Sequence, residues 1–258
     1  MLNISYKEFS QIYDVLMNDM DYEKWTSFII EKVNGSKVLE AACGTGSITR
    51  LLADKGLKVT AFDLSEDMLM RAYEKLGRNP RVKLLNMDMR TFKIDDKFDA
   101  AVCCCDGVNY INKNEIKDFF SNIYNHLNED SCFIFDLSTQ YKYETMFNDT
   151  YVYDDGEIFY VWENSYNQSE ESHESNMVNI EINFFIKDSS DKYNRINEIQ
   201  TQYIHNIEEI MVLLNETGFK NIKTYDDYNN ESCRDNSLRA VFICEKGTVN
   251  GLHSKSNR

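Results

Sequence analysis

Two glycines follow a short apolar run and precede a segment with helical periodicity. Residues 38–46 read VLEAACGTG, which places Gly44 and Gly46 where a strand would turn into a helix. Glycine allows a ligand to lie against the backbone because no Cβ stands in the way. The start of the helix offers free N–H groups and partial positive charge, which favour a carboxylate or a phosphate. The alternative is a tight strand–helix turn that needs no ligand.

Two carboxylates flank this loop at positions where strands end. Asp63 follows Gly44 by nineteen residues and can accept hydrogen bonds from both hydroxyls of a ribose. Glu40 would repel a pyrophosphate, but it can meet the ammonium of a methionine moiety. A dinucleotide fingerprint also requires a third glycine three residues after Gly46, where Thr49 stands. The pattern therefore favours a nucleoside joined to an amino acid over a dinucleotide.

Two later segments extend the candidate site. Asp88 follows the third predicted strand and can accept a hydrogen bond from an adenine amine, with Met89 or Leu64 packed on the ring. Asp106 follows the fourth predicted strand, and ligands of open α/β sheets lie at such strand ends. For Asp63 and Asp88 the alternative is a helix cap or an ordinary loop acid.

Strand and helix patterns alternate over residues 37–137. Apolar runs predict buried strands, and helical periodicity with serine or glycine at the ends predicts the helices between them. This alternation indicates an α/β, Rossmann-like, doubly wound fold with a mostly parallel sheet. The predicted strands are Lys37–Ala41, Leu57–Phe62, Val82–Asn86, Phe98–Cys105 and Ser131–Leu137, and the predicted helices are Ser47–Lys55, Glu66–Leu76 and Lys113–Leu127.

The pattern changes after residue 137. Four alternating segments separated by polar turns predict an antiparallel β insertion over residues 138–205, and the α/β pattern returns over 206–246. We therefore expect a helical cap (1–36), a cofactor-binding core (37–137), the insertion as a substrate lid, the C-terminal part of the core (206–246) and a disordered tail (247–258). The predicted strands of the insertion are Tyr151–Tyr153, Ile158–Tyr166, Met177–Lys187 and Tyr193–His205.

Charge and cysteine usage limit the function classes. The net charge is −15, which repels nucleic acids on average. The sequence has no run of eighteen apolar residues and no basic start followed by an apolar stretch, so neither a membrane span nor a secretory signal is expected. Seven cysteines without C-x-x-C spacing, three of them consecutive at 103–105, predict reduced, mostly buried thiols in the cytoplasm and no metal site.

Together these motifs resemble those of class I S-adenosylmethionine-dependent methyltransferases. Residues 40–46 resemble motif I of that family, Asp63 its ribose-binding acid and Asp88 its adenine-binding acid. Residues 13–17 (YDVLM), followed by Asp21-Tyr22 and Trp25, resemble a bacterial small-molecule subgroup similar in layout to amino-sugar and glycine N-methyltransferases. In that subgroup a helical N-terminus closes over the cofactor and a β-sheet insertion covers the substrate. The resemblance implies a cofactor, S-adenosylmethionine, held by Tyr13, Glu40, Ala41, Ala42, Cys43, Gly44, Gly46, Asp63, Leu64, Met68, Asp88, Met89, Cys105 and Asp106.

The resemblance further implies an enzyme that transfers a methyl group to a small molecule by in-line displacement. The resemblance and the acidity of the chain favour an amine acceptor, whereas a hydroxyl acceptor would want a base such as His205. Two alternatives stay open here: a non-catalytic S-adenosylmethionine-binding module that regulates a partner, and a nicotinamide-dependent oxidoreductase. Tyr13 and Trp25 serve either the methionine end of the cofactor or helix packing. The oligomeric state, monomer or homodimer, is open.

Overall fold

A computed structural model describes residues 6–146, 150–167 and 177–247 of the chain. Within these ranges the strands are β1 (Lys37–Ala41), β2 (Lys58–Asp63), β3 (Val82–Asn86), β4 (Phe98–Cys103), β5 (Leu127–Ser138), β6 (Tyr151–Asp154), β7 (Ile158–Asn167), β8 (Met177–Lys187), β9 (Tyr193–Tyr203), β10 (Phe219–Asp226) and β11 (Arg239–Lys246). The helices are α1 (Tyr6–Leu16), α2 (Tyr22–Lys32), α3 (Ser47–Asp54), α4 (Glu66–Leu76), α5 (Ile116–His126), α6 (Gln140–Met146) and α7 (Ile207–Thr217).

The larger sheet has seven strands in the order β10-β11-β5-β4-β1-β2-β3. Strands β1 to β5 pair in parallel, while β11 runs antiparallel to both β5 and β10. The chain changes direction across the sheet between β1 and β4, and ligands of doubly wound folds bind at the carboxyl ends of such strands. The predicted fold, a mostly parallel Rossmann-like sheet with an antiparallel insertion, is confirmed.

The parallel strands are buried on both faces, which explains their continuous apolar sequences. In β4, Ala101 and Cys103 belong to the core under α5, while Ala100 and Val102 belong to the core under α2 and α3. Of the three consecutive cysteines, Cys103 at the end of β4 belongs to the first core, and Cys104 and Cys105, which follow the strand, pack in the second. All seven cysteines are free thiols.

Local capping fixes where several helices begin and end. Asp21 and Ser65 accept hydrogen bonds from backbone N–H groups in the first turns of α2 and α4. Asn206 does the same for α7, and Gly218 closes that helix with a φ of +112°. Left-handed backbone at this position favours glycine because it has no Cβ.

The insertion forms a second, four-stranded antiparallel sheet in the order β6-β7-β8-β9. Alternate residues of β8 from Val178 to Phe184 are buried on one face of it. This face packs against Phe9 and Ile12 of α1 and against Tyr143 of α6. The N-terminal helix is therefore held between the two sheets, above the carboxyl edge of the larger one.

Two boundaries differ from the predictions for identifiable reasons. Strand β4 ends at Cys103 rather than Cys105, because Cys105 and Asp106 have positive φ angles of 58° and 51°. Helix α5 begins later than Lys113, because the Asn112 side chain accepts from backbone N–H groups of the turn before it. Helix α6 has no predicted counterpart. The predicted turn Asn167–Asn176 lies outside the described residues except for Asn167, which ends β7, and so does all of the predicted tail except Gly247.

Candidate active site

A cavity of about 330 Å³ opens at the carboxyl ends of β1, β2 and β4. Its volume falls at the lower end of the range of roughly 300–1,000 Å³ typical of small-molecule pockets. Residues 40–110 supply most of the wall, and α1 and β9 supply the remainder. The lining residues are Phe9, Tyr13, Ala42, Gly44, Phe62, Asp63, Leu64, Met68, Met87, Asp88, Met89, Arg90, Cys104, Cys105, Gly107, Tyr110 and Gln200.

The turn after β1 brings backbone rather than side chain to the cavity wall. Ala42, Gly44 and Gly46 have φ angles of 52°, 53° and 75°. A Cβ added to Gly44 would have only Tyr13 Cε1, at 4.0 Å, within contact distance, so it would project into the cavity. A Cβ at Gly46 would instead lie 3.1 Å from the Cβ of Ala72. Gly44 therefore leaves room for a ligand, and Gly46 leaves room for α4.

Asp63 is held in place by the loop that it faces. The Gly44 N–H donates to its Oδ2 (2.8 Å) and the Ser65 N–H to its Oδ1 (2.9 Å). Burial raises the pKa of the Asp63 carboxyl, and these two N–H groups oppose the rise. Each carboxylate oxygen has a second lone pair, so a fixed carboxylate beside the cavity can still accept from two neighbouring hydroxyls.

Glu40 lies at the end of β1, only 3% exposed. Its Oε2 accepts a hydrogen bond from Thr49 Oγ1 (2.7 Å), the residue that stands where a dinucleotide fingerprint has glycine. Burial raises the pKa of Glu40 to about 8, the Thr49 hydroxyl opposes the rise, and Asp63 adds to it. Glu40 reaches a small extension of the cavity beside Gly44 and Cys105, where an ammonium group would stabilise its charged form.

We expect Glu40→Gln to stabilise the free protein increasingly as pH rises. The unfolded chain loses the Glu40 proton near its ordinary pKa of 4.5, whereas the folded chain keeps it until about pH 8. Glu40 therefore lowers the free energy of unfolding progressively between these pH values, and glutamine does not titrate. Thermal unfolding of both proteins should show a higher Tm for the variant at pH 8, by about 3 °C or more, and no such gain at pH 5. A Tm difference independent of pH would contradict this explanation.

Asp88 lies at the far end of the cavity and is paired with a cation. Arg90 Nε contacts both carboxylate oxygens of Asp88 (2.9 and 3.0 Å), and this ion pair lowers the pKa of the carboxyl. Met87 and Met89 line the wall beside the pair. The arrangement supplies a fixed acceptor next to apolar surfaces on which a flat ring can lie.

Residues from both ends of the chain form the roof. Phe9 and Tyr13 of α1 pack edge to face at 5.6 Å between ring centroids, and both line the cavity. On the opposite side the Tyr110 hydroxyl donates to Gln200 Oε1 of β9 (2.6 Å). Helix α1 is further attached to the core through Asp14, whose carboxylate lies 2.9 Å from Lys75 Nζ on α4.

Asp106 is near the cavity but turned away from it. Its N–H and that of Cys105 donate to the carboxylate of Asp136. The Asp106 side chain accepts from Gln202 Nε2 (2.8 Å) and from Arg239 Nη1 (3.3 Å). Burial raises the pKa of Asp106, but Lys142 and Arg239 outweigh it and leave the pKa below its usual value.

Of the fourteen residues proposed to hold a cofactor, eleven line the cavity or its extension. Ala41 is fully buried in β1, Gly46 packs on α4, and Asp106 lies behind the wall. Sequence reasoning missed Phe9, Arg90 and Gln200. No sequence pattern around Gln200 indicates a role in binding. Tyr110 is different, because it follows Asp106 closely at the carboxyl end of the fourth predicted strand. His205 is buried, which lowers its pKa to about 4, and it does not line the cavity.

Comparison with known proteins shows the family. A profile described as "Methyltransferase domain" matches residues 38–130. The Bacillus subtilis protein named "Putative methyltransferase YqeM" is 32% identical over 245 residues, covering 93% of this chain and 97% of its own. A crystal structure of an S-adenosylmethionine-dependent methyltransferase from Clostridium acetobutylicum has a TM-score of 0.82 at 33% identity, covering 94% of this chain and 99% of that one. The chain belongs to the S-adenosylmethionine-dependent methyltransferases.

Some other matches of this methyltransferase are more distant. The glycine/sarcosine N-methyltransferase of Aphanothece halophytica is 24% identical over 220 residues, covering 83% of this chain and 78% of its own. Family membership excludes the nicotinamide alternative, in agreement with Thr49 and Glu40 beside the loop. Within the described ranges no helix is long and apolar enough to cross a membrane, and no three metal-ligating side chains cluster.

Proposed function

We propose that this methyltransferase transfers a methyl group from S-adenosylmethionine to the amine nitrogen of a small molecule. The proposal rests chiefly on the composition of the cavity wall. Neither of the two histidines in the described residues, His126 and His205, lines the cavity. An amine that arrives unprotonated needs no base to attack, whereas a hydroxyl acceptor does.

In this proposal the cofactor extends along the cavity from Asp88 to Glu40. Asp88, Met89 and Leu64 surround the adenine, and Asp63 accepts from the ribose hydroxyls. The backbone around Gly44 supports the amino-acid part, and Glu40 meets its ammonium. The residue types fit this ligand, because carboxylates stand where donors are expected and apolar side chains stand where the ring is expected.

The bound cofactor supplies an activated methyl group, so the protein's own residues contribute position and exclusion of water. Tyr13 and Phe9 cover the cavity from α1, and Tyr110 and Gln200 cover it from the other side. The Gln200 amide and the Tyr110 hydroxyl add hydrogen-bonding groups that can orient an acceptor. The predicted roles of the helical cap and the insertion as covers agree with this arrangement.

Several of the relatives that are named for an acceptor support an amine. The Aphanothece protein is named for glycine and sarcosine, which are amines, and a Streptomyces fradiae enzyme, 31% identical over 111 residues, is named an N,N-dimethyltransferase of an amino sugar. The net charge of −15 also favours acceptors that are neutral or cationic. A cytoplasmic location stays a prediction.

The first test is thermal unfolding with S-adenosylmethionine, S-adenosylhomocysteine and NAD in parallel. A ligand at a hundredfold excess over its Kd adds about 2.7 kcal/mol to the free energy of unfolding. We expect the first two ligands to stabilise the protein and NAD to leave it unchanged. Mass spectrometry then tests the reaction: the protein is incubated with S-adenosylmethionine and with paired amine and alcohol acceptors, and methylation of each acceptor is measured. Transfer to alcohols alone, or cofactor binding without transfer to any amine, would overturn the proposal, the second result in favour of a regulatory module.

A further inference from the structure

A second cavity, of about 570 Å³, lies beside the proposed cofactor site. It opens between the start of α2, helix α6 and the segment joining β10 to β11. The apolar part of its wall comes from Met20, Trp25, Met146 and Leu238. Of its cations, Arg239 is only 9% exposed and Lys142 is half-buried. We call it the Arg239 cavity.

Arg239 is fixed on one edge and open on the other. Its Nη1 donates to Asp136 Oδ1 (2.8 Å) and Asp106 Oδ1 (3.3 Å), and its guanidinium carbon lies 4.8 Å from the centre of the Trp25 ring. Its Nε is 3.9 Å from Asp227 Oδ1, beyond hydrogen-bonding distance. Among the described residues, neither Nε nor Nη2 makes a hydrogen bond, and neither is sealed from the cavity.

An arginine held in this way presents an edge suited to a carboxylate. Three of its five N–H groups lie on Nε and Nη2, and such an edge binds the two oxygens of a carboxylate with two parallel hydrogen bonds. The side chain is already ordered by Asp136 and Trp25, so little further entropy is lost when a ligand binds.

Other charges of the cavity favour one negative charge rather than two. Lys142 adds a second, half-buried cation, and its Nζ donates to Ser138 Oγ (2.9 Å). At the rim, Asp227 pairs with Lys24 (2.7 Å) and Asp226 pairs with Arg234 (2.5 Å). These rim carboxylates would repel a phosphate dianion more strongly than a carboxylate.

The Arg239 cavity and the cofactor cavity share a wall. Arg239 contacts Asp106, and Cys105 next to it in sequence lines the cofactor cavity. Tyr22 lies in the same wall and lines the extension at Glu40. A ligand with one end on Arg239 thus lies beside the proposed cofactor site, next to Asp106 and Cys105.

We propose that the open Nε–Nη2 edge of Arg239 binds a carboxylate of the methyl acceptor. This inference extends the proposed function: the acceptor is an amino-carboxylate, with its carboxylate in the Arg239 cavity and its amine towards Asp106 and the cofactor. Arg239 and Lys142 determine specificity in this arrangement and take no part in the transfer itself.

The test is calorimetric titration of the protein saturated with S-adenosylhomocysteine. The probes are glycine, 3-aminopropanoate, 4-aminobutanoate and 3-aminobenzoate, each compared with its carboxamide. We expect at least one carboxylate to bind about tenfold or more tightly than its amide, as charge-assisted hydrogen bonds imply. Arg239→Lys and Lys142→Gln should weaken binding of that carboxylate, and Asp227→Asn should strengthen it several-fold by removing a competing charge. Since a gain of affinity cannot come from misfolding, Asp227→Asn keeps the proposal falsifiable.

Asp96→Asn is the matched control, because Asp96 pairs with Lys37 at an exposed site elsewhere and carries the same charge. Equal binding of carboxylates and amides, or equal effects of Asp227→Asn and Asp96→Asn, would overturn the inference. If Arg239→Lys weakened binding of S-adenosylhomocysteine and not of the carboxylate, the guanidinium would belong to the cofactor. Failure of S-adenosylhomocysteine itself to bind would instead overturn the proposed function.

Discussion

Replacement of Gly44 by valine is expected to abolish binding of S-adenosylmethionine. With φ at +53°, Gly44 has a left-handed backbone that a β-branched residue adopts only under strain. The added side chain would also project into the cavity beside Asp63, because only Tyr13 lies within 4.0 Å of the new Cβ. Calorimetry with S-adenosylmethionine and S-adenosylhomocysteine measures the effect, and no heat of binding should be detected.

Gly56→Val separates this loss from backbone strain. Gly56 has a φ of +97° just after α3, and nothing lies within 4 Å of a Cβ placed there. Both variants should unfold at lower temperature, since each holds valine in an unfavourable backbone conformation. Only the Gly44 variant should fail to bind. Retention of wild-type affinity in Gly44→Val would refute the assignment of this loop to the cofactor.

Asp63→Ala should weaken cofactor binding by about 1–3 kcal/mol, equivalent to roughly five- to 150-fold in Kd. The Asp63 carboxylate is fixed by Gly44 and Ser65, so its remaining lone pairs are already aimed when a ligand arrives. Alanine removes the acceptor for the ribose hydroxyls and also leaves two backbone N–H groups unpaired. The measurement is again the Kd of S-adenosylhomocysteine by calorimetry.

Two comparisons isolate the ribose contribution. Asp99 accepts hydrogen bonds from the Ser36 and Lys37 N–H groups away from the cavity. Asp99→Ala therefore also leaves two backbone N–H groups unpaired, but it does not change the site, and it should leave the Kd of S-adenosylhomocysteine unchanged. The 2′-deoxy analogue of S-adenosylhomocysteine should bind the wild-type protein less tightly than S-adenosylhomocysteine does. The two compounds should bind Asp63→Ala with equal affinity. An undiminished preference for the hydroxyl in the variant would rule out the ribose assignment.

Features controlled by local sequence were predictable. Strand β1, helix α4 and its Ser65 cap have the predicted positions, because apolar periodicity and a side-chain cap are properties of a few neighbouring residues. Asp63 and Glu40 could be placed near the cavity because each stands at the carboxyl end of a predicted parallel strand. In a parallel sheet, residues that end adjacent strands must meet at one edge.

Features controlled by distant partners were not predictable. Asp106 ends near the cavity as expected, but Asp136, Gln202 and Arg239 hold its backbone and side chain on the far side of the wall. None of these three is within twenty residues of it in the sequence. Gly46 belongs to the glycine motif, yet its missing Cβ makes room for Ala72 of a later helix. A motif specifies residue types, and tertiary contacts decide what each one touches.

The roof of the cavity has a consequence for the departure of product. Phe9 and Tyr13 come from the start of the chain and Gln200 from a strand nearly two hundred residues later. Contacts that join the two halves of the cover to the floor include Tyr110–Gln200, Gln202–Asp106 and Asp14–Lys75. If the cofactor binds beneath them as proposed, we expect its release to be easier when one half moves aside. Opening of this kind limits turnover in many enzymes. In this protein we expect these polar contacts to influence how readily the product leaves.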